Sequence, residues 1–308
     1  MVDEFAGQLA RRQTLKCMLW AGTGVVWTVA GGVPASHLIG SAKAAEGSFS
    51  FVQVSDSHIG FSKPANPDAR ATLDAAIDKI LAMPGDPAFV IHTGDVTHTA
   101  APQEFDDALQ MIRRAKLDVH YAPGEHDITD AATRTAYLDR FGKGATGGGW
   151  YSFDQGGLHF VSLVNVVELK TNGLGSLGAE QLAWLDDDLS GKSASTPIVL
   201  FAHIPLWMIA PEWGWGTQDS AQALKLLSRF GSVTVLNGHI HQLMQKVEGA
   251  VTFHTARSTA FPQPAPGTAP SPGPKRVPAG ELRKWLGVRE VAYSPTPTAL
   301  AVTDSDLS

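Results

Sequence analysis

The chain has 308 residues, 44% of them hydrophobic and 18% charged, with a formal charge of -6. It is long and apolar enough to bury a substantial core, and the same balance excludes wholesale disorder and a multi-span membrane protein. An acidic chain whose densest basic group is only Lys275, Arg276, Arg283 and Lys284 is not expected to take a nucleic-acid polymer as partner.

Arg11 and Arg12 precede a run from Cys17 to Ala42 without Asp, Glu, Lys or Arg, and Ala42, Lys43 and Ala44 end it with the small-x-small pattern cut by signal peptidase. With Leu15 and Lys16, the arginine pair resembles a twin-arginine-type signal peptide over residues 1–44. That resemblance implies passage through the twin-arginine export machinery as a folded protein, cleavage, and a periplasmic or secreted product. Gly22, Gly24, Gly31, Gly32 and Pro34 break the run, so no stable membrane span is expected in the mature form. Cys17 is the only cysteine, so past the signal neither a disulfide nor a thiolate metal site is available.

From Ser48 onward short apolar runs alternate with amphipathic stretches. The pattern predicts a strand over 49–54, a helix over 68–83, a strand over 88–92, a helix over 103–116 and a strand over 117–121. A hairpin follows from 150–153 and 158–164, then a helix over 179–189. Buried strands are expected over 197–201 and 233–236, with a helix over about 218–229 between them. The stretch 261–278 carries seven prolines and is expected to be an extended surface excursion. Late strands are expected at 291–293 and 299–303. The alternation indicates an α/β sandwich of two sheets flanked by helices, with one domain over 45–260 and a Pro-rich segment and C-terminal extension, 261–308, packed on it.

Candidate metal ligands fall immediately after the predicted strands. Asp56 and His58 follow the first, Asp95 the second, and Glu125, His126 and Asp127 the third; His203 follows 197–201, and His239 and His241 follow 233–236. Sites in α/β sheets gather at such strand ends. Two divalent ions about 3.5–4 Å apart need several imidazoles and carboxylates, one of them bridging, and such a pair activates water beside a phosphate without a protein nucleophile. Gly94, Gly124 and Gly238, next to the ligands, fit a backbone that turns sharply there.

Asp56-Ser57-His58, Gly94-Asp95, Gly124-Glu125-His126-Asp127, His203 and Gly238-His239-Ile240-His241, in that order, resemble the motifs of the calcineurin-like metallophosphoesterase family. The likeness covers most of the chain beyond the signal. It implies a four-layer α/β/β/α sandwich, two divalent metal ions (Mn, Fe or Zn), and hydrolysis of small phosphodiesters or phosphomonoesters by metal-bound hydroxide. Position by position, it puts Asp56, His58 and His241 on one metal, Asp95 between the two, and His203 and His239 on the other. His126 would contact phosphate and protonate the leaving group, with Asp127 orienting it. His98 stands where purple acid phosphatases carry a ligating tyrosine, and with His58 present the pattern is more similar to the cyclic-nucleotide phosphodiesterase-like branch. His98 and His92 are therefore expected behind the ligands or at the surface.

Glu125 departs from the family's asparagine, and three readings stay open: it ligates and retunes the metal, it swings away, or it weakens the site. Trp207, with Trp213 and Trp215, either walls a substrate pocket or packs a long loop. Arg257 either touches phosphate or is merely exposed. Two rivals remain beside the phosphoesterase, namely a catalytically silent metal-dependent binding protein and a pyrophosphohydrolase of sugar nucleotides or lipids.

Overall fold

The computed structural model describes residues 27–30, 33–36, 47–278, 280–295 and 298–308. The expected signal peptide therefore lies outside the described residues, apart from β1 (Trp27–Ala30) and β2 (Val33–Ser36), which pair antiparallel. Then follow β3 (Phe49–Val54), α1 (Ala69–Leu81), β4 (Phe89–His92), α2 (Pro102–Ile112), β5 (Asp118–Tyr121), α3 (Ala131–Phe141), β6 (Tyr151–Gln155) and β7 (Leu158–Ser162). The second half holds α4 (Ala179–Ser190), β8 (Ile198–Phe201), α5 (Ser220–Leu227), β9 (Val233–Asn237), β10 (Met244–Glu248), β11 (Val251–Thr255), α6 (Leu282–Trp285), β12 (Gly287–Pro295) and β13 (Thr298–Asp306). Among the described residues no helix is long and apolar enough to cross a membrane.

Local chemistry sets the helix starts. The Asp68 side chain accepts from the backbone N–H of Ala71 and caps α1, and Pro102 opens α2 where its missing N–H costs nothing. Helix α3 has no counterpart among the predicted elements. Its sequence signal is the capping box in which Asp130 accepts from the Thr133 N–H and Thr133 accepts from the Asp130 N–H.

Beside the β1-β2 pair, the described residues form two larger sheets, ordered β13-β12-β3-β4-β5 and β10-β11-β9-β8-β7-β6. Strands β3, β4 and β5 run parallel up to one edge of the first sheet, with antiparallel β12 and β13 on the other side, whereas in the second sheet parallel β7, β8, β9 and β11 lie between antiparallel edge strands β6 and β10. Period-two alternation divides each strand between two cores. On β8, Val199 and Phe201 join Phe51, Phe89, Phe160 and Leu236 between the sheets, whereas Ile198 and Leu200 face outward onto Leu185 and Leu189 of α4 and Leu227 of α5. On β3, Val52 and Val54 face Leu73 and Ile77 of α1 and Phe105 of α2. The result is a four-layer α/β/β/α sandwich, as the resemblance implies. The late strands run longer than predicted because β12 pairs with β3 over five residues, so the C-terminal extension completes the first sheet. Arg289, 2% exposed, ties it in by donating to both carboxylate oxygens of Asp304, to Gln53 Oε1 and to the Thr255 carbonyl.

Two histidines remote from the strand-end cluster give the fold a pH dependence. Burial lowers His120, stacked 3.8 Å from Phe153, to about 4, and burial, reinforced by Arg289, lowers His254 to about 4. Unfolded histidine titrates near 6.5, so between about pH 6.5 and 4 the unfolded chain binds more protons than the folded one. Their contribution is full above about pH 6.5 and disappears as the pH falls towards 4, with a limiting slope of about 1.4 kcal/mol per pH unit for each proton. Urea melts of wild type and a His120→Gln/His254→Gln variant check this: the variant's midpoint should vary less over that window, and parallel pH profiles would refute it.

Candidate metal centre

The chain turns after β3 and β4 pair with each other, Asp56 N–H donating to the Gly94 carbonyl at 3.0 Å and His58 N–H to the Asp95 carbonyl at 2.9 Å. The turn after β9 joins through the Gly238 N–H, 3.0 Å from the His203 carbonyl. Four strand ends from two sheets thus converge on one point.

Asp56, His58 and His241 form one cradle, with Asp56 Oδ1 3.1 Å from His241 Nε2 and His58 Nε2 3.3 Å from His241 Nε2. Glu125, His203 and His239 form a second, with Glu125 Oε2 2.9 Å from His203 Nε2 and Glu125 Oε1 2.9 Å from His239 Nδ1. Asp95 lies between them, its Oδ2 3.5 Å from His58 Nε2 and 3.3 Å from His203 Nε2. All seven predicted ligands are thereby brought together, and Glu125 points into the cluster rather than away from it.

The donor set fits metal ions on three counts. Atoms held roughly 2.0–2.2 Å from a common ion at ordinary ligand angles lie about 2.8–3.6 Å apart, and the separations given for the cradles, 2.9–3.3 Å, fall within that range. Glu125 Oε2, His203 Nε2 and both ring nitrogens of His239 are buried without a hydrogen-bond partner, because the close approaches between them lack hydrogen-bond angles. Finally, the far ring nitrogens of two of the histidines are occupied: His203 Nδ1 is 2.7 Å from the Thr93 carbonyl and His241 Nδ1 is 2.5 Å from the Phe261 carbonyl. Each Nδ1 must donate to its carbonyl, which leaves the Nε2 lone pair aimed inward.

The backbone beneath the ligands is strained. Asp56, His58, Asp95, His239 and His241 have φ of 53°, 41°, 50°, 67° and 53°, left-handed conformations that cost non-glycine residues about 1–2 kcal/mol each. The sharp turns thus fall mainly on the ligands themselves. Of the flanking glycines, Gly94 has φ +94°, but Gly124 and Gly238 are required by crowding: a Cβ would stand 2.0 Å from Asp95 Oδ1 in the first case and 2.1 Å from Ser55 Oγ in the second.

Electrostatics follow from burial opposed by mutual pairing. Burial alone would raise Asp56 and Glu125, but His241, His203 and His58 around Asp56, and His239 and His203 around Glu125, hold both below the usual carboxylate range. Burial would lower His203, yet Asp95 and Glu125 pull it up. Burial and then its imidazole neighbours push His58 down, so it stays neutral.

His126 reaches over the first cradle, its ring 4.9 Å from that of His58. Its Nδ1 lies 2.7 Å from the His98 carbonyl, and its ring stacks on His98 at 4.9 Å. Burial opposes protonation, but Asp95, Glu125 and the His98 carbonyl outweigh it and raise His126. Asp127 does not orient this ring, contrary to the sequence expectation. Its carboxylate accepts instead from the N–H groups of Val96, Thr97 and Gly124 and the Thr97 hydroxyl, fastening the Asp95 turn to the Glu125 turn. A carboxylate so saturated has no geometry left for an imidazole; burial and the nearby charge of Asp95 push it up to about 6.

His98 sits behind the ligands, its Nδ1 3.4 Å from His58 Nδ1, and buried His92 lies 3.0 Å from the Ser57 hydroxyl. Trp207 and Arg257 are not brought into the cluster. Trp207 packs on Phe253 at 5.1 Å, as a loop anchor, and Arg257 donates to the Lys284 carbonyl beside the C-terminal extension. Trp215 is fully buried against Ile240, between the two histidines of the last motif. The Pro-rich segment is only partly a surface excursion: Phe261, 4% exposed, stacks 4.7 Å from His58, and Gln263 Nε2 donates to the His239 carbonyl. Sequence reasoning missed Phe261 because its contribution is a backbone carbonyl, which no side-chain motif marks.

Residues 49–243 match the family model described as Calcineurin-like phosphoesterase. A purple acid phosphatase of Arabidopsis thaliana, number 23, is 35% identical over 141 residues, 41% of this chain and 29% of that protein. A probable cyclic nucleotide phosphodiesterase of Synechococcus sp. is 24% identical over 182 residues, 58% of this chain and 68% of that protein. A dimetal phosphatase from Danio rerio shares the fold with TM-score 0.60 and 15% identity, over 84% of this chain and 99% of that one. The chain thus spans less than a third of the length of the purple acid phosphatase it matches.

Proposed function

From the premise that the chain belongs to the calcineurin-like phosphoesterase family, we propose that it is an exported, metal-dependent hydrolase of phosphodiesters or phosphomonoesters. The observation that carries this reading is the pair of cradles, Asp56, His58, His241 and Glu125, His203, His239, meeting at Asp95, the second of them with buried donor atoms on all three residues that have no hydrogen-bond partner. Two divalent ions held there, of the Mn, Fe or Zn class, would supply Lewis acidity and a water activated near neutral pH. Relatives named as a purple acid phosphatase and as a probable cyclic nucleotide phosphodiesterase support phosphate esters as the substrate class. Export is supported by the twin-arginine pattern of residues 1–44, which points to a periplasmic or secreted enzyme.

The chain's own groups divide the remaining work. Nδ1–H of His126 donates to the His98 carbonyl, so Nε2 is the atom left to meet substrate and to pass a proton to the departing oxygen. His203 and His241, anchored through Nδ1 to backbone carbonyls, hold their rings at fixed angles. Asp127 keeps the two turns that carry Asp95 and His126 in register.

The test is an assay of the metal-loaded chain on bis(p-nitrophenyl) phosphate and p-nitrophenyl phosphate, with His126→Asn beside it. Turnover is expected, reduced about 10²–10⁴-fold in the variant at unchanged metal content. Two bound ions with no turnover of either ester would replace the hydrolase by a metal-dependent binding protein.

A further inference from the structure

The two cradles are alike in composition. Each has two imidazoles and one carboxylate of its own, and Asp95 is shared, within 3.5 Å of a histidine on either side. Glu125 makes them so. Its side chain reaches between His203 and His239 and offers one oxygen to each at 2.9 Å, and among the described residues it is the one acid in the second cradle apart from the shared Asp95. No other residue of that cradle can supply its charge, since His203 and His239 are neutral when they ligate.

Charge follows from this count. Asp56, Asp95 and Glu125 against two dications leave one formal positive charge, whereas a neutral amide at position 125 would leave two. Coulomb attraction scales with the product of charges, so the added charge strengthens the pull on a doubly charged phosphomonoester twice as much as on a singly charged phosphodiester. A centre with the lower charge therefore discriminates against the dianion.

We propose that Glu125 gives the second cradle the same donor set and formal charge as the first, so that both hold the same kind of divalent ion with comparable affinity, and that the lower charge of the assembled centre selects phosphodiesters over phosphomonoesters. The selectivity rests on the phosphoesterase reading; the equal affinities do not.

The experiment therefore has two arms, using wild type, Glu125→Gln, which keeps the side chain's reach, and Glu125→Asn. In the first, Mn²⁺ is titrated calorimetrically into metal-stripped protein. Wild type should bind two ions with constants within about tenfold of each other, and both variants should bind the second at least about tenfold more weakly. Two equally tight ions in Glu125→Gln overturn the proposal. In the second arm, with Mn²⁺ saturating, kcat/KM is compared for bis(p-nitrophenyl) phosphate and p-nitrophenyl phosphate. Both variants should shift this ratio towards the monoester on the order of tenfold, and an unchanged ratio overturns the selectivity. Wild type inactive on both esters would sink the phosphoesterase reading, and the selectivity with it, while the calorimetry still decides the role of Glu125.

Discussion

Asp95→Asn is expected to lower kcat/KM for any phosphate ester by about 10³-fold or more, with the fold intact. The carboxylate stands between the cradles, Oδ2 facing His58 on one side and His203 on the other, and Oδ1 accepts from the His126 N–H at 2.9 Å. Its charge is what two cations would share. Asparagine preserves the shape, and it tolerates the φ of 50° at this position better than most residues would. It can also still accept from His126, so the local backbone should survive. What is lost is the negative charge at the point where both cradles meet. Metal analysis should return fewer than two ions per chain, and steady-state kinetics should show the fall mainly in kcat. A variant that keeps both ions and activity within tenfold would remove Asp95 from the centre.

Stripping metal should lower the melting midpoint by on the order of 10 °C or more, since ions bound only by the folded chain add about 4 kcal/mol each at a thousandfold excess over Kd. The structure gives this a local cause. Five ligand residues hold left-handed backbone, and Glu125, His203 and His239 bury polar atoms without partners. Both are costs that coordination would offset. Because Asp95 and Glu125 raise His203, an ion must displace its proton, so the stabilisation should weaken as the pH falls below the raised value and recover above it. Scanning calorimetry with a chelator and with Mn²⁺ at several pH values reads this out. A chelated sample proven free of metal that melts with the loaded one would contradict it.

Much of the candidate site was legible in one dimension. Parallel strands buried on both faces are mostly apolar runs, so 49–54, 88–92, 197–201 and 233–236 could be read within a residue or two of β3, β4, β8 and β9. Ligand chemistry concentrates just past such runs, and residue type and position mark Asp56, His58, Asp95, Glu125, His126, Asp127, His203, His239 and His241, while the resemblance to the family's motifs sets His126 and Asp127 apart from the ligands. Strands β10 and β11 were not legible: β10 is a largely exposed edge, and β11 takes its place by pairing with β9.

Only the tertiary structure decided which contacts those residues make. Asp127 adjoins His126 in the chain, yet its carboxylate turns back to Val96 and Thr97, about thirty residues earlier. Phe261, twenty residues past His241 in a stretch read as surface, supplies the carbonyl that fixes that histidine's tautomer. The left-handed φ at the ligands falls where turns interlock, Asp56 with Gly94 in one sheet, Gly238 with His203 in the other, and the His239 N–H with the Asp56 carboxylate between the two. Periodicity and residue type are properties of a segment, and the sequence determined what they control. The aim of a side chain and the partner of a carbonyl depend on segments far apart in the chain, and these meet only when the two sheets close on one another.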